Sequence, residues 1–451
     1  MFANLKKLIL AVGAVIVLCG AAPANAKLAT VGALHDYVRA RWGIDVPRHH
    51  SASSLLTMRY LMQLVDAANL VLNGVAISDY ANDTKYVSSA IVADTVATQA
   101  VDELIRKIVE YKFFFTPAVT ENEYLFYIAA AGTFYVDWGD GKIEIVTRTS
   151  VRNYAVGHTY DTPANNYNIK LGGKATAYGT DATAAISFNG NASRLSAFDG
   201  CLGCIFSTIE DETVAESARQ PRFRATFANN SALTGQIPEK LFDNVHGAPV
   251  SYMFSQTFSG CAGLTGKIPS GLFGGIKGAP AVRMYSQAFT RCAGLSGEIP
   301  DRLFGVFDGA PAEYMFFDTF LGCSNLSGPI PENLFAGIKG EGQTGMFQST
   351  FYGCSKLTSI PQNIFAGIDP NGTYKSSMFM WTFRGIGVTG GYSPKIGDKY
   401  LYEIWPTVVG TGAAYSGCSA LYDYQCIPVA WGGAGKKNPG ECEPVATTVG
   451  E

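Results

Sequence analysis

The chain has 451 residues with a formal net charge of −3, an ordinary globular composition spread over a length that exceeds one compact core. Loss of Lys6 and Lys7 with the first 26 residues would take the charge to −5, and no basic stripe remains, which argues against a nucleic-acid partner.

In chain order, the first expectation is a secretory signal peptide over residues 1–26: Lys6 and Lys7, an apolar run from Leu8 to Leu18, then Ala24-Asn25-Ala26. The run is too short to span a bilayer, and no later run of membrane length follows, so the mature chain is expected to be secreted or held at the cell surface without a membrane span. Residues 27–112 read as helical. Leu55 to Val71 runs unbroken to Asn73-Gly74, and Ile91, Thr95, Val101, Leu104, Ile105 and Ile108 recur at helical spacing. The His49-His50 pair lacks partners at helical spacing and reads as a solvated loop.

At Phe113 the texture changes to short alternating stretches rich in aromatic and β-branched residues, Tyr124–Ile128 and Gly132–Asp137. Asp137-Trp138-Gly139-Asp140-Gly141 supplies a hairpin turn into Lys142–Thr147. Asp137 and Asp140 carry oxygen ligands of the kind calcium takes, but carboxylates in so tight a turn more often accept local backbone N–H groups. No metal is expected. Residues 113–192 are read as a small β-sandwich.

Residues 193–429 repeat. Cys261, Cys292, Cys323 and Cys354 stand 31 residues apart, each within similar words: TFSGCAGLTGKIPSGLF, AFTRCAGLSGEIPDRLF, TFLGCSNLSGPIPENLF and TFYGCSKLTSIPQNIF. Asn230 occupies the same position one repeat earlier. Side chains at one position of stacked repeats point the same way, so this ladder is expected to be buried thiols rather than disulfides. Disulfides are expected at the ends, between Cys201 and Cys204 and between two of Cys418, Cys426 and Cys442. Residues 430–451 form a tail.

Nothing reads as an enzyme. The five histidines are scattered, with no H-E-x-x-H, G-x-S-x-G or phosphate-binding loop, and no cofactor is implied. Recognition by a surface remains. Positions that vary while their neighbours stay fixed are the candidates: Gln236, Lys267, Glu298 and Pro329, then Glu239, Ser270, Asp301, Glu332 and Gln362. Phe317, Tyr352 and Trp381 are aromatics where other repeats place small or polar residues, and they are read either as partner anchors or as fillers of irregular gaps.

Two resemblances add to this reading. The words VDWGDG and GHTYDTPANNYNIKLGG, from Val136 and Gly157, resemble β-sandwich domains of the polycystic-kidney-disease type. The repeat words, with Met253-Phe254 before Phe258, Met315-Phe316 before Phe320 and Met346-Phe347 before Phe351, resemble BspA-like bacterial surface leucine-rich-repeat proteins. In such repeats an Asn or Cys at one position satisfies backbone groups in the turn beneath the strand. The resemblances imply a multidomain α+β fold: an N-terminal helical segment, a small β-sandwich, then a leucine-rich-repeat solenoid of 31-residue repeats. They imply an exported bacterial protein that recognises host or neighbouring-cell macromolecules, an extracellular protein or a glycan. The alternative is a carbohydrate-binding or cell-envelope scaffold protein.

Overall fold

The computed structural model describes residues 30–42, 110–406 and 413–442. The signal-peptide segment, the helices expected over 55–71 and 91–108, and the His49-His50 pair lie outside the described residues. The described residues fall into two compact units, the first drawn from Met1–Lys112, Ala131–Thr149 and Ile169–Ala175, the second from Phe113–Ala130, Ser150–Asn168 and Thr176–Glu451.

In the first unit, α1 (Val31–Trp42) buries Val31, Leu34, His35 and Val38, the one-face spacing of an amphipathic helix. Thr30 caps it by accepting the Ala33 N–H at 3.2 Å. The strands are numbered along the chain: β1 (Tyr111–Pro117), β2 (Glu123–Ile128), β3 (Ala130–Asp137), β4 (Ile143–Arg148), β5 (Tyr154–Thr159), β6 (Ile169–Tyr178), β7 (Ile186–Ser187) and β8 (Leu195–Gly200). Strands β3 and β4 pair antiparallel from Gly132↔Arg148 to Asp137↔Ile143, and β6 lies on the other side of β3. The turn between β3 and β4 is closed by the two aspartates. Asp137 accepts the Gly139 N–H and Asp140 the Lys142 N–H, both at 3.0 Å, while Lys170 pairs with Asp137 at 2.9 Å.

In the second unit, β1 pairs antiparallel with β8, and the register slips at Pro117, which has no N–H for the ladder. Strand β2 pairs antiparallel with β5 on one side and β7 on the other. Phe113, Phe115, Tyr124, Phe126 and Phe188 meet there as a wholly buried aromatic cluster with ring centroids 5.0–6.5 Å apart. His158 sits edge-on to Tyr160 at 4.5 Å, and Tyr160 stacks on Tyr167 at 4.3 Å, so the HTY word serves packing.

The expected α+β fold with a leucine-rich-repeat solenoid is overturned. The described residues are mostly strands and loops, with only two α-helices, α1 and the four-residue α2 (Leu401–Ile404), and small sheets that are mainly antiparallel; no leucine-rich-repeat solenoid is seen. Where such a solenoid needs a continuous parallel sheet, successive repeats share only single bridges such as Gly235↔Leu264, Gly266↔Leu295 and Gly297↔Leu326, and the two-residue pair β9 (Lys277–Gly278) with β10 (Val306–Phe307). The cause is the glycine in Leu-x-Gly-x-Ile-Pro. Gly235, Gly266 and Gly297 hold φ of 76–87°, and the proline that follows Ile gives no donor, so each of these pairings stops at a single bridge. The repeat that lacks this glycine forms the longer strand β12 (Lys356–Ser359), paired with β11 (Ser327–Pro329).

Helices fail for a related reason. In residues 252–260, Tyr252, Gln256 and Gly260 are left-handed (φ 63, 58 and 78°), which no α-helix tolerates. The N–H groups alternate instead. Met253, Ser255, Thr257, Ser259 and Cys261 donate to the carbonyl three residues back, whereas Tyr252, Phe254, Gln256, Phe258 and Gly260 donate to the carbonyl 30 residues ahead, at 2.8–2.9 Å. Every backbone donor in the stretch is thereby satisfied without helix or sheet.

The described chain closes with the short hairpin β13 (Lys395–Ile396) and β14 (Lys399–Tyr400), then α2, and a turn region around buried Trp431 held by Cys426–Cys442. There the buried Asp423 carboxylate accepts the Ser393 N–H at 3.1 Å and hydroxyl protons from Ser393 and Tyr402.

Candidate functional site

The alternating turns send side chains in two directions. Inward, three aromatic columns stack from repeat to repeat: Phe223, Phe254, Tyr285, Phe316, Phe347 and Phe379 at 5.7–5.8 Å; Phe227, Phe258, Phe289, Phe320, Phe351 and Phe383 at 5.5–5.8 Å; and Phe242, Phe273, Phe304, Phe335 and Phe365 at 5.9–6.3 Å. Nearly all are fully buried, which makes them scaffold.

The cysteine ladder belongs to the same interior. Cys261, Cys292, Cys323, Cys354 and also Cys418 are buried free thiols. Their Sγ–H groups donate to the carbonyls of Phe227, Phe258, Phe289, Phe320 and Phe383 at 2.9–3.2 Å. Burial pushes Cys261, Cys323 and Cys418 up to about 12, and Cys292 and Cys354 well above their ordinary value, so these thiols carry no nucleophile. Asn230 stands in the ladder because its neighbour differs. Its amide donates to Phe188 and Phe227 carbonyls at 2.9 Å and accepts the Leu195 N–H at 2.6 Å, a donor that a thiol would leave poorly paired. Disulfides join Cys201 to Cys204 and Cys426 to Cys442.

Outward, the predicted binding residues separate into two groups. Lys267 and Glu298 are exposed and lie along the glycines of the next repeat, Gly297 and Gly328, whose missing side chains make room for them. Asp301 and Glu332 are exposed too, but each accepts an amide proton from the following repeat, Asn333 and Asn363 respectively. The aromatics fall elsewhere. Tyr352 and Trp381 are half-buried neighbours with centroids 6.2 Å apart, and the Arg384 guanidinium covers both rings at 5.3 and 5.5 Å. Phe317 packs edge-on to Tyr314 at 5.9 Å, and Arg283 covers Tyr314 at 4.2 Å.

Sequence reading missed the partners of these aromatics. Arg224 lies over Tyr252 at 5.0 Å, and a side-chain chain runs from Gln256 to Gln287 (2.8 Å) and on to Asp318 (3.3 Å). Burial raises the Asp318 carboxyl above its usual range, opposed by hydrogen bonds from Ser349 and Gln287. The signal that would have found them is conformational. Gln256, Gln287, Asp318, Ser349 and Trp381 share one repeat position and all have φ of 53–59°, where glycine would be unstrained. Four residues on, where the same conformation recurs, Gly260, Gly322, Gly353 and Gly385 take it, with Arg291 the exception in that series. Side chains are kept at the first position despite a cost of roughly 1 kcal/mol each.

At one end of this column, within the second unit, opens a cleft of about 470 Å³ lined by polar residues that include Asn153, Asp181, Asn189, Arg224 and Gln256. Elsewhere, His246 pairs with Glu210 at 3.0 Å on the surface, and no group of three or more His, Cys, Asp or Glu among the described residues is placed to hold a metal ion.

No protein-family model matches the chain, and no curated protein or solved structure was found to match it. No helix among the described residues is long and apolar enough to cross a membrane.

Proposed function

We propose that the chain is an exported binding protein that recognises a host or neighbouring-cell protein through the outward column of the repeats. The observation that carries this is the Tyr352–Trp381–Arg384 cluster: an arginine shared between two half-buried rings, continued by Arg283 on Tyr314 and Arg224 on Tyr252. Arginine, tyrosine and tryptophan are the residues that dominate protein interfaces, because each offers a large, stiff contact with a polar edge. Gln256, Gln287 and Asp318 add amide and carboxylate groups held in place by one another. Five steps of the ring columns, each 5.5–5.8 Å, carry the strip from Ala225 to Trp381, a length suited to an extended segment of a partner.

The test is binding of the full secreted chain to arrays of extracellular-matrix proteins and of glycans. Binding to a protein that Trp381→Ala and Arg384→Ala each weaken about tenfold or more supports the proposal. Binding confined to glycans, or protein binding that both variants leave intact, overturns it.

A further inference from the structure

The cleft is built differently from the strip. Its volume of about 470 Å³ lies within the ~300–1,000 Å³ common for small-molecule sites, yet those are mostly apolar and this one is polar. A buried arginine prepares it: Arg222 donates to the carbonyls of Gly179, Thr180 and Ser251 at 2.7, 3.3 and 3.1 Å, fixing the loop that carries Asp181. Asp181 accepts the Thr183 N–H at 3.0 Å and a further hydrogen bond from the Thr183 side chain, and it stands exposed in the cleft lining. Ser187 donates to the Asn189 side-chain oxygen at 2.8 Å, which leaves the amide N–H groups of Asn189, a lining residue, as donors. Gln256 donates to Gln287 and thereby keeps its own carbonyl oxygen as an acceptor. The Arg224 guanidinium lies over Tyr252 and has no hydrogen-bond partner among the described residues.

Donors and acceptors thus line one space, and the Asp181 carboxylate beside the buried Arg222 guanidinium, with Arg224 in the lining, puts both signs of charge at it. An apolar ligand would strand these groups, and an anion would meet the Asp181 carboxylate. A molecule whose every polar group both donates and accepts would satisfy them all. We propose that the cleft binds the terminal residue of a neutral saccharide, Arg224 and Asn189 donating to its hydroxyls and Asp181 and Gln256 accepting from them. This is a second binding activity at one end of the outward column, with which the cleft shares Arg224 and Gln256.

The experiment is calorimetric or NMR titration of the full secreted chain with lactose, maltotriose, cellotriose and chitotriose, with sialyllactose and inorganic phosphate as anionic counterparts. At least one neutral sugar is expected to bind, with affinity lowered about tenfold by Arg224→Ala and by Asp181→Asn and left within about twofold by Trp381→Ala. Asn189→Ala, a change at an exposed side chain, provides a third variant if either of the first two melts early. The proposal is overturned if no neutral sugar binds, if binding survives all three cleft variants, or if an anion binds more tightly than its neutral counterpart. Because Trp381→Ala probes only the strip and Asp181→Asn only the cleft, loss of protein binding in the first with sugar binding retained, or of sugar binding in the second with protein binding retained, tells failure of one reading from failure of the other.

Discussion

The inner and outer sides of the repeats are built on the same turns yet obey different rules. Inside, one position holds Phe258, Phe289, Phe320, Phe351 and Phe383, each almost wholly buried, because each ring must stack on the one before and the one after. Outside, two residues earlier, the chain holds Gln256, Gln287, Asp318, Ser349 and Trp381 in one backbone conformation. The backbone fixes shape at both positions, but only the interior fixes chemistry. A surface of this kind can change its partner without changing its fold.

The largest effect expected from breaking this contrast is on the inner side. Phe320→Ala should cost about 3–5 kcal/mol in chemical denaturation, since it empties the middle of a column. Trp381→Ala should leave stability within about 1 kcal/mol and instead lose about 2 kcal/mol of partner binding, so a large loss of stability would place Trp381 with the interior. Cys323→Ala should cost about 1–2 kcal/mol, removing one buried heavy atom and the donor to the Phe289 carbonyl, and Cys323→Ser should recover part of it. In the native protein the five ladder thiols should not react with a disulfide reagent at neutral pH, and all five should react after denaturation.

The smallest effect is electrostatic. Burial raises the Asp423 carboxyl above its ordinary 3.8, and hydrogen bonds from Ser393 and Tyr402 oppose this only in part. The folded state then holds this proton more tightly than the unfolded one, so stability from this group is greatest below pH 3.8 and falls as pH rises toward the raised value. Asp423→Asn should flatten that part of the stability profile; an unchanged difference between variant and parent across pH 3.8 to neutrality would show that the group does not titrate there.

Much of the interior was legible in the chain. The 31-residue recurrence of Phe and Cys placed the ladder, and the cysteines outside that recurrence were the ones expected to pair. Fold class was not legible, because Leu-x-Gly-x-Ile-Pro reads as a strand until the glycine takes a positive φ and ends the pairing. The outward site was half legible. Aromatics out of pattern pointed to Tyr352 and Trp381, but their arginine lies in the following repeat and entered no motif. Lys267 and Glu298 varied for a local reason, since each fills the space over a glycine.

By itself, the sequence determined which side chains repeat and therefore which must share an interior, because periodic burial is written residue by residue. Tertiary structure decided how the backbone spends its hydrogen bonds. A donor that chooses between a carbonyl three residues back and one 30 residues ahead is settled only when the next repeat arrives. The cleft depends on the same fact. Asn153, Asp181, Asn189, Arg224 and Gln256 span more than a hundred residues and carry no common spacing, so only the folded chain brings their donors and acceptors to one place.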